Sequence, residues 1–124
     1  MHQLPTPYQA PLPQLWKGRA TAPELGIQYW YQQVQLLDLE KKSETDAVPQ
    51  VALLGYACDE GVRRNKGRVG AAQGPNAIRK QLARLAYHHN SIQVSDYGNL
   101  LCADGNLEAS QKALSVLTEQ LLTQ

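Results

Sequence analysis

VALLGYACDEGVRRNKGRVGAAQGPNAIR, residues 51–79, reads as a strand, a loop and a helix in immediate succession. Val51 to Leu54 is a continuous apolar run, the pattern of a strand buried on both faces in a parallel sheet and paired along both edges. From Asp59 to Asn76 the composition turns to glycine, at Gly61, Gly67, Gly70 and Gly74, interleaved with Arg63, Arg64, Lys66 and Arg68. That is turn chemistry carrying concentrated positive charge. A loop in this position lies at the carboxyl end of its strand, where open α/β sheets place their ligands. Pro75 then opens a helix, because the first turn has no N–H partner for proline to lose. The four glycines and Pro75 are read as loop-geometry residues rather than ligand contacts.

Downstream, Ile78, Leu82, Leu85 and Ala86 fall at helical spacing as a buried stripe, with Arg79, Lys80 and Arg84 on the solvated side of a helix over 75–88. Ile92 to Tyr97 alternates apolar with polar, which predicts an edge strand with one wet face. Together these make one βαβ unit. Asp104-Gly105-Asn106 offers turn and cap chemistry before a last amphipathic helix marked by Leu107, Leu114, Leu117 and Leu121. Upstream, Pro5, Pro7, Pro11 and Pro13 predict an extended arm over 1–20, anchored on the domain by Trp16. Residues 21–124 then form the domain proper. Thr21 and Glu24 have capping-box spacing, and Ile27, Trp30, Tyr31, Val34 and Leu37 predict a helix packed through one stripe.

The totals exclude several classes. A chain of 124 residues, 43% hydrophobic and 19% charged, has the composition of a globular protein. Its net charge of +1 supplies no global field for nucleic acid or an anionic membrane. No apolar run approaches the roughly 18 residues of a membrane span, and no basic segment precedes an apolar one at the N-terminus. The expectation is a soluble, cytoplasmic protein with Cys58 and Cys102 as reduced thiols.

The run GYACDEGVRRNKGRVGAAQGPNAIR resembles the first strand, loop and helix of the arginase, or ureohydrolase, superfamily, and most closely its formimidoylglutamase branch. Similarity continues from Leu15-Trp16-Lys17-Gly18-Arg19 to the end of the chain. The resemblance implies the N-terminal part of a three-layer α/β/α fold with a mostly parallel sheet, in which the first strand is internal. It also implies hydrolysis of N-formimidoyl-L-glutamate to L-glutamate and formamide in histidine degradation, using two Mn2+ ions. The metal would lower the pKa of a bridging water to generate hydroxide against a poor amidine electrophile. The branch carries its metal ligands in Gly-Gly-x-His, Asp-x-His-x-Asp and Asp-x-Asp segments, and none occurs among residues 1–124. His2, His88 and His89 never fall at ligand spacing with Asp59, Glu60, Asp96 or Asp104. No catalytic residue and no metal ligand is therefore assigned, and the chain by itself is expected to be inactive.

What the loop offers is a set of donors. Arg63, Arg64 and Arg68, with Asn65, are candidates to face a dicarboxylate substrate, since arginine matches carboxylates bidentately. The alternative, which the residues favour, is bracing, with Arg68 and Asn65 bonded to the loop backbone and to Asp59. A different class of function would be a small anion- or phosphate-binding module using loop 59–76 and the helix N-terminus. Against it, the glycine spacing is neither a Walker sequence nor GxGxxG, and Pro75 removes an N–H. A third is association through an exposed sheet edge, including self-association, because one convincing neighbour strand leaves the apolar strand open on its other side.

Overall fold

Residues 7–19, 26, 28–41, 50–89, 91–102 and 105–123 are described by the structure, a computed structural model. The sheet contains β1 (Tyr8–Gln9), β2 (Gln35–Leu36), β3 (Val51–Ala57) and β4 (Val94–Leu101). The helices are α1 (Trp30–Gln33), α2 (Glu60–Arg64), α3 (Gly74–Leu82) and α4 (Leu107–Leu122), with 3-10 turns at Pro13–Leu15 and Ala71–Gln73. β3 and β4 are parallel and α3 lies between them in sequence, which is the βαβ unit. α3 and the Pro13–Leu15 turn cover one face, where Leu15, Trp16 and Ala83 are buried with Leu53 and Leu82 against them. On the other face α4 contributes Ala113 and Leu117 to a core with Leu39, Tyr97 and Leu100. The architecture is α/β, with helices on both sides of a mixed sheet. Among the described residues no helix is long and apolar enough to cross a membrane.

The sheet is organised around β4, not around β3. β3 pairs along one edge of β4, from Val51 opposite Val94 to Ala57 opposite Leu101. The other edge is shared: β2 runs parallel at Ser95 and Asp96, and β1 antiparallel at Asn99 and Leu100. The edge strand with a wet face expected over 92–97 is thus a central strand in which every residue from Val94 to Leu100 is buried. Its charged and amide positions, Asp96 and Asn99, are satisfied by protein groups instead of water, so alternation in the sequence did not signal solvent. β3, expected inside the sheet, has its second edge unpaired among the described residues, and Val51 is 41% exposed.

One irregularity places the polar side chains. Leu53 faces Asp96 but Gly55 faces Asn99, so two steps on β3 match three on β4. The additional residue of this bulge brings Asp96 and Asn99 to the α3 side, where strict alternation would separate them. Gly98 in the interval has φ +84, and a Cβ there would lie 2.1 Å from the Gln9 carbonyl oxygen. β1 lies too close for any other residue.

Two predicted helices are shorter than expected. α3 stops at Leu82 because the carbonyls of Ala83 and Leu85 accept N–H bonds from Tyr31 and Trp30, at 3.3 and 2.9 Å, so they are unavailable to a further helical turn. Its buried stripe also differs: Arg79 and Ala83 are buried, while Ile78 is 62% exposed and Leu85 is exposed. The segment through Trp30 and Val34 makes a single turn and then turns extended into β2. Trp30, Tyr31 and Val34 pack on the α3 face and Leu37 on the α4 face, so the stripe is buried by a different route. Thr21, Glu24 and Ile27 lie outside the described residues, as do Pro5 and Asp104. α4 begins at Leu107, capped by Asn106, whose Oδ1 accepts from the Ala109 N–H at 3.3 Å.

Candidate functional site

The loop after β3 is held by carboxylates. Asp59 Oδ1 accepts the N–H groups of Gly70 and Ala72, at 3.1 and 2.6 Å, tying the far end of the loop back to its start. These amides open the 3-10 turn at Ala71–Gln73 and have no partner within it. That same carboxylate puts negative charge where a phosphate would seek N–H groups, which speaks against an anion-binding module. Gly70, with φ +155, adopts a backbone that suits glycine. A Cβ on Gly67 would meet Val62 Cγ1 at 2.9 Å. Gly61 and Gly74 sit within α2 and α3 with open space around them, so neither has a comparable demand for glycine.

Within the loop, α2 carries an ion-pair cluster. Glu60 receives a fork from Arg63, with Nε at 2.8 Å and Nη2 at 2.6 Å, and a third bond from Arg64 Nε at 2.8 Å. Arg64 continues to Glu108 at the start of α4, at 2.5 Å, and to the Gly105 carbonyl at 3.0 Å. These hydrogen bonds from Arg63 and Arg64 hold the Glu60 carboxyl at about 2. The bond from Arg64 likewise lowers Glu108, and Arg64 is raised in return. Glu60 with arginines three and four residues on is a helical pairing that the spacing itself could have revealed. Its glycine-rich context drew the reading toward an irregular loop instead.

Behind the loop lies a buried network that the sequence did not disclose. Arg79, expected on a solvated face, is 4% exposed, and its Nε is 3.0 Å from Oδ2 of the fully buried Asp96. Its Nη1 donates to Asn99 Oδ1 at 2.6 Å and Asn76 Oδ1 at 3.2 Å, and its Nη2 to the Gly98 carbonyl at 2.8 Å. Asp96 also accepts Trp16 Nε1 at 2.9 Å and the Gly98 N–H at 2.9 Å. Asn99 donates to Gln9 Oε1 and to Asn76 Oδ1. Gly55 makes room for this packing, since a Cβ there would fall 1.9 Å from Asn99 Oδ1 and 2.8 Å from Pro75 Cβ. The network joins β1, β4 and α3 to Trp16 beneath a cavity of about 660 Å³, whose lining includes Asn76, Lys80, Gln81, Asn99 and Cys102.

The candidate donors therefore separate into two groups. Arg63 and Arg64 are engaged by Glu60 and Glu108. Asn65 and Arg68 are exposed, and among the described residues neither side chain has a hydrogen-bond or ion-pair partner. The bracing contact expected between Arg68 or Asn65 and Asp59 is not formed among the described residues, where Asp59 Oδ1 accepts backbone amides instead. Among the described residues no group of three or more His, Cys, Asp or Glu could hold a metal ion. The donors present do not fit a dinuclear manganese site. His88 and His89 are both exposed.

Comparison with known proteins gives this geometry its context. Formimidoylglutamase from Aeromonas salmonicida is 48% identical over 110 residues, covering 87% of this chain and 33% of the relative. The enzyme of the same name from Chromobacterium violaceum is 44% identical over 109 residues, again 87% of this chain and 33% of its own length. For that of Geobacillus kaustophilus the values are 42% over 118 residues, 93% and 36%. The chain thus spans about a third of the length of the curated relatives it matches. The family model described as "Arginase family" matches residues 49–124, which takes in β3, the braced loop, α3, β4 and α4, and the chain belongs to that family.

Proposed function

We propose that this chain provides the substrate-facing loop of a formimidoylglutamase, acting in the cytoplasm on N-formimidoyl-L-glutamate to release L-glutamate and formamide. The observation that carries this reading is the loop at the carboxyl end of β3. Its frame is pinned by Asp59 and by the Glu60, Arg63, Arg64 and Glu108 pairs, while Arg68 and Asn65 are left exposed. A preorganised frame with a free planar cation suits bidentate recognition of a substrate carboxylate. The family implies two manganese ions, and among the described residues no group of His, Cys, Asp or Glu would hold them.

The test is a chimera. The chain supplied with manganese should release no glutamate above a metal-only control, whereas the Chromobacterium violaceum enzyme carrying residues 51–124 in place of its matching segment should hydrolyse the substrate. In that chimera Arg68→Lys should leave the melting temperature unchanged and lower kcat/KM by roughly ten- to a hundredfold, the equivalent of one charge-assisted hydrogen bond of about 1.5–3 kcal/mol. A folded but inactive chimera would refute the assignment. Unchanged kinetics in Arg68→Lys would remove Arg68 from the substrate.

The same reading extends to association with a second copy through β3. Its edge, free among the described residues, is flanked by a groove on each face, an apolar one between β3 and α3 including Leu53, Pro75 and Ile78, and one of mixed polarity between β3 and α4 including Gln50, Leu54, Leu114 and Thr118. An unpaired strand between two such grooves is a template for strand addition.

A further inference from the structure

We propose that Cys58 and Cys102 form a dithiol at the carboxyl ends of β3 and β4, which a small disulfide such as oxidised glutathione converts to an intramolecular disulfide. The register puts them together. Ala57 is opposite Leu101, and the Cys102 N–H donates to the Ala57 carbonyl at 3.4 Å, so Cys58 and Cys102 are the next residues on neighbouring strands. Adjacent strands lie about 4.8 Å apart, inside the roughly 4.4–6.8 Å Cα separation that a disulfide spans. Both thiols are free and partly exposed, and each lies within hydrogen-bonding reach of the other.

The surroundings distinguish the two sulfurs. Burial opposes a Cys58 thiolate, but the N–H groups of Glu60 and Gly61, the Tyr56 hydroxyl and the Cys102 thiol outweigh it and lower its pKa. Burial raises Cys102, opposed by a bond to Ser110, and the nearby Cys58 and Glu60 add to the rise. Cys58 is therefore the attacking thiolate. It attacks one sulfur of the oxidised glutathione, forming a mixed disulfide and expelling one glutathione thiolate. Cys102, as its thiolate, then attacks the Cys58 sulfur, forming the Cys58–Cys102 bond and expelling the second glutathione thiolate. The two protons of the protein dithiol end on glutathione or in solvent, and two electrons pass from the protein to glutathione. The bond would join the residue before the loop to the residue after β4 and remove the thiolate charge that accepts N–H bonds at the start of α2.

The test is equilibration of the whole chain in glutathione buffers of graded ratio, followed by alkylation and peptide mapping by mass spectrometry. A parallel series is run in concentrated guanidinium chloride. The expected product is a single Cys58–Cys102 cross-linked peptide, with an effective thiol concentration at least about tenfold higher under native conditions than in denaturant, or about 30 mV in potential. Cys58→Ser and Cys102→Ser should each yield only a mixed disulfide with glutathione. A native value no higher than the denatured one, or glutathione on both cysteines without a cross-link, would overturn the proposal. Cross-links found only between chains would do the same.

Discussion

β3 and β4 are neighbours whose compositions and positions run opposite to each other. β3, with its Val51 to Leu54 apolar run, lies beside an open edge, and Val51 and Ala52 are exposed. β4, carrying Ser95, Asp96 and Asn99, lies in the centre, with those residues almost wholly buried. The difference shows that a strand's place in a sheet does not follow from how apolar it is, provided that its charged and amide groups, here Asp96 and Asn99, find partners. A buried polar group is tolerated when hydrogen-bonded. An exposed apolar edge marks a surface without a partner.

The strongest way to break this comparison is to remove one charge from the centre. Asp96→Asn keeps the shape and can still accept the Trp16 bond, but leaves the Arg79 guanidinium buried without its counter-ion. Breaking such a pair costs about 3–5 kcal/mol, a large share of the roughly 5–15 kcal/mol that holds a domain together. Chemical denaturation should show the variant largely unfolded. Replacing both partners at once, Asp96→Leu with Arg79→Met, should cost less than the single change. A loss below about 1 kcal/mol for Asp96→Asn would mean that the polar network does not organise β4.

The corresponding change in β3 should separate stability from association. Val51→Lys places a charge at an exposed edge position and should alter stability by no more than about 0.5 kcal/mol. It should also shift a concentration-dependent mass in light scattering toward the monomer. If the wild-type chain is a concentration-independent monomer, the open edge does not self-associate. If Val51→Lys associates as strongly as wild type, the contact lies elsewhere.

What was legible in the residues follows the same division. The start of β3, the βαβ order and the position of the loop could be read because local patterns determine them, and Asn106 announced α4 by its own capping chemistry. The place of β4 could not be read that way. Alternation cannot tell whether Asp96 faces water or the guanidinium of Arg79, which comes from a different element. The end of α3 was equally hidden, because the N–H groups of Trp30 and Tyr31 that take its next carbonyls come from more than fifty residues earlier in the chain. For the site, the position of the donors was visible but their division was not. The pairing of Arg63 and Arg64 with Glu60 is local, but the bridge from Arg64 to Glu108 in α4 depends on the fold, as does the exposure of Arg68.

The smallest expected effect contrasts two ion-pair clusters, one at the carboxyl end of β3 whose arginines are exposed around a buried Glu60, and the wholly buried one on β4. Glu60 is held at about 2 against an ordinary value of 4.5 by its hydrogen bonds to Arg63 and Arg64. A carboxyl lowered on folding stabilises the native state above its unfolded value, and that contribution is lost as pH falls from 4.5 through about 2. The melting temperature should therefore decline on acidification across that window, and Glu60→Gln should have a flatter acid limb. The decline should be shallow because the side chains of Arg63 and Arg64 are 64% and 43% exposed, so water and salt screen the pairs. Added salt should reduce the difference between wild type and Glu60→Gln while leaving the loss in Asp96→Asn nearly unchanged. An equal response to salt at both positions would erase the distinction between the exposed cluster and the buried one.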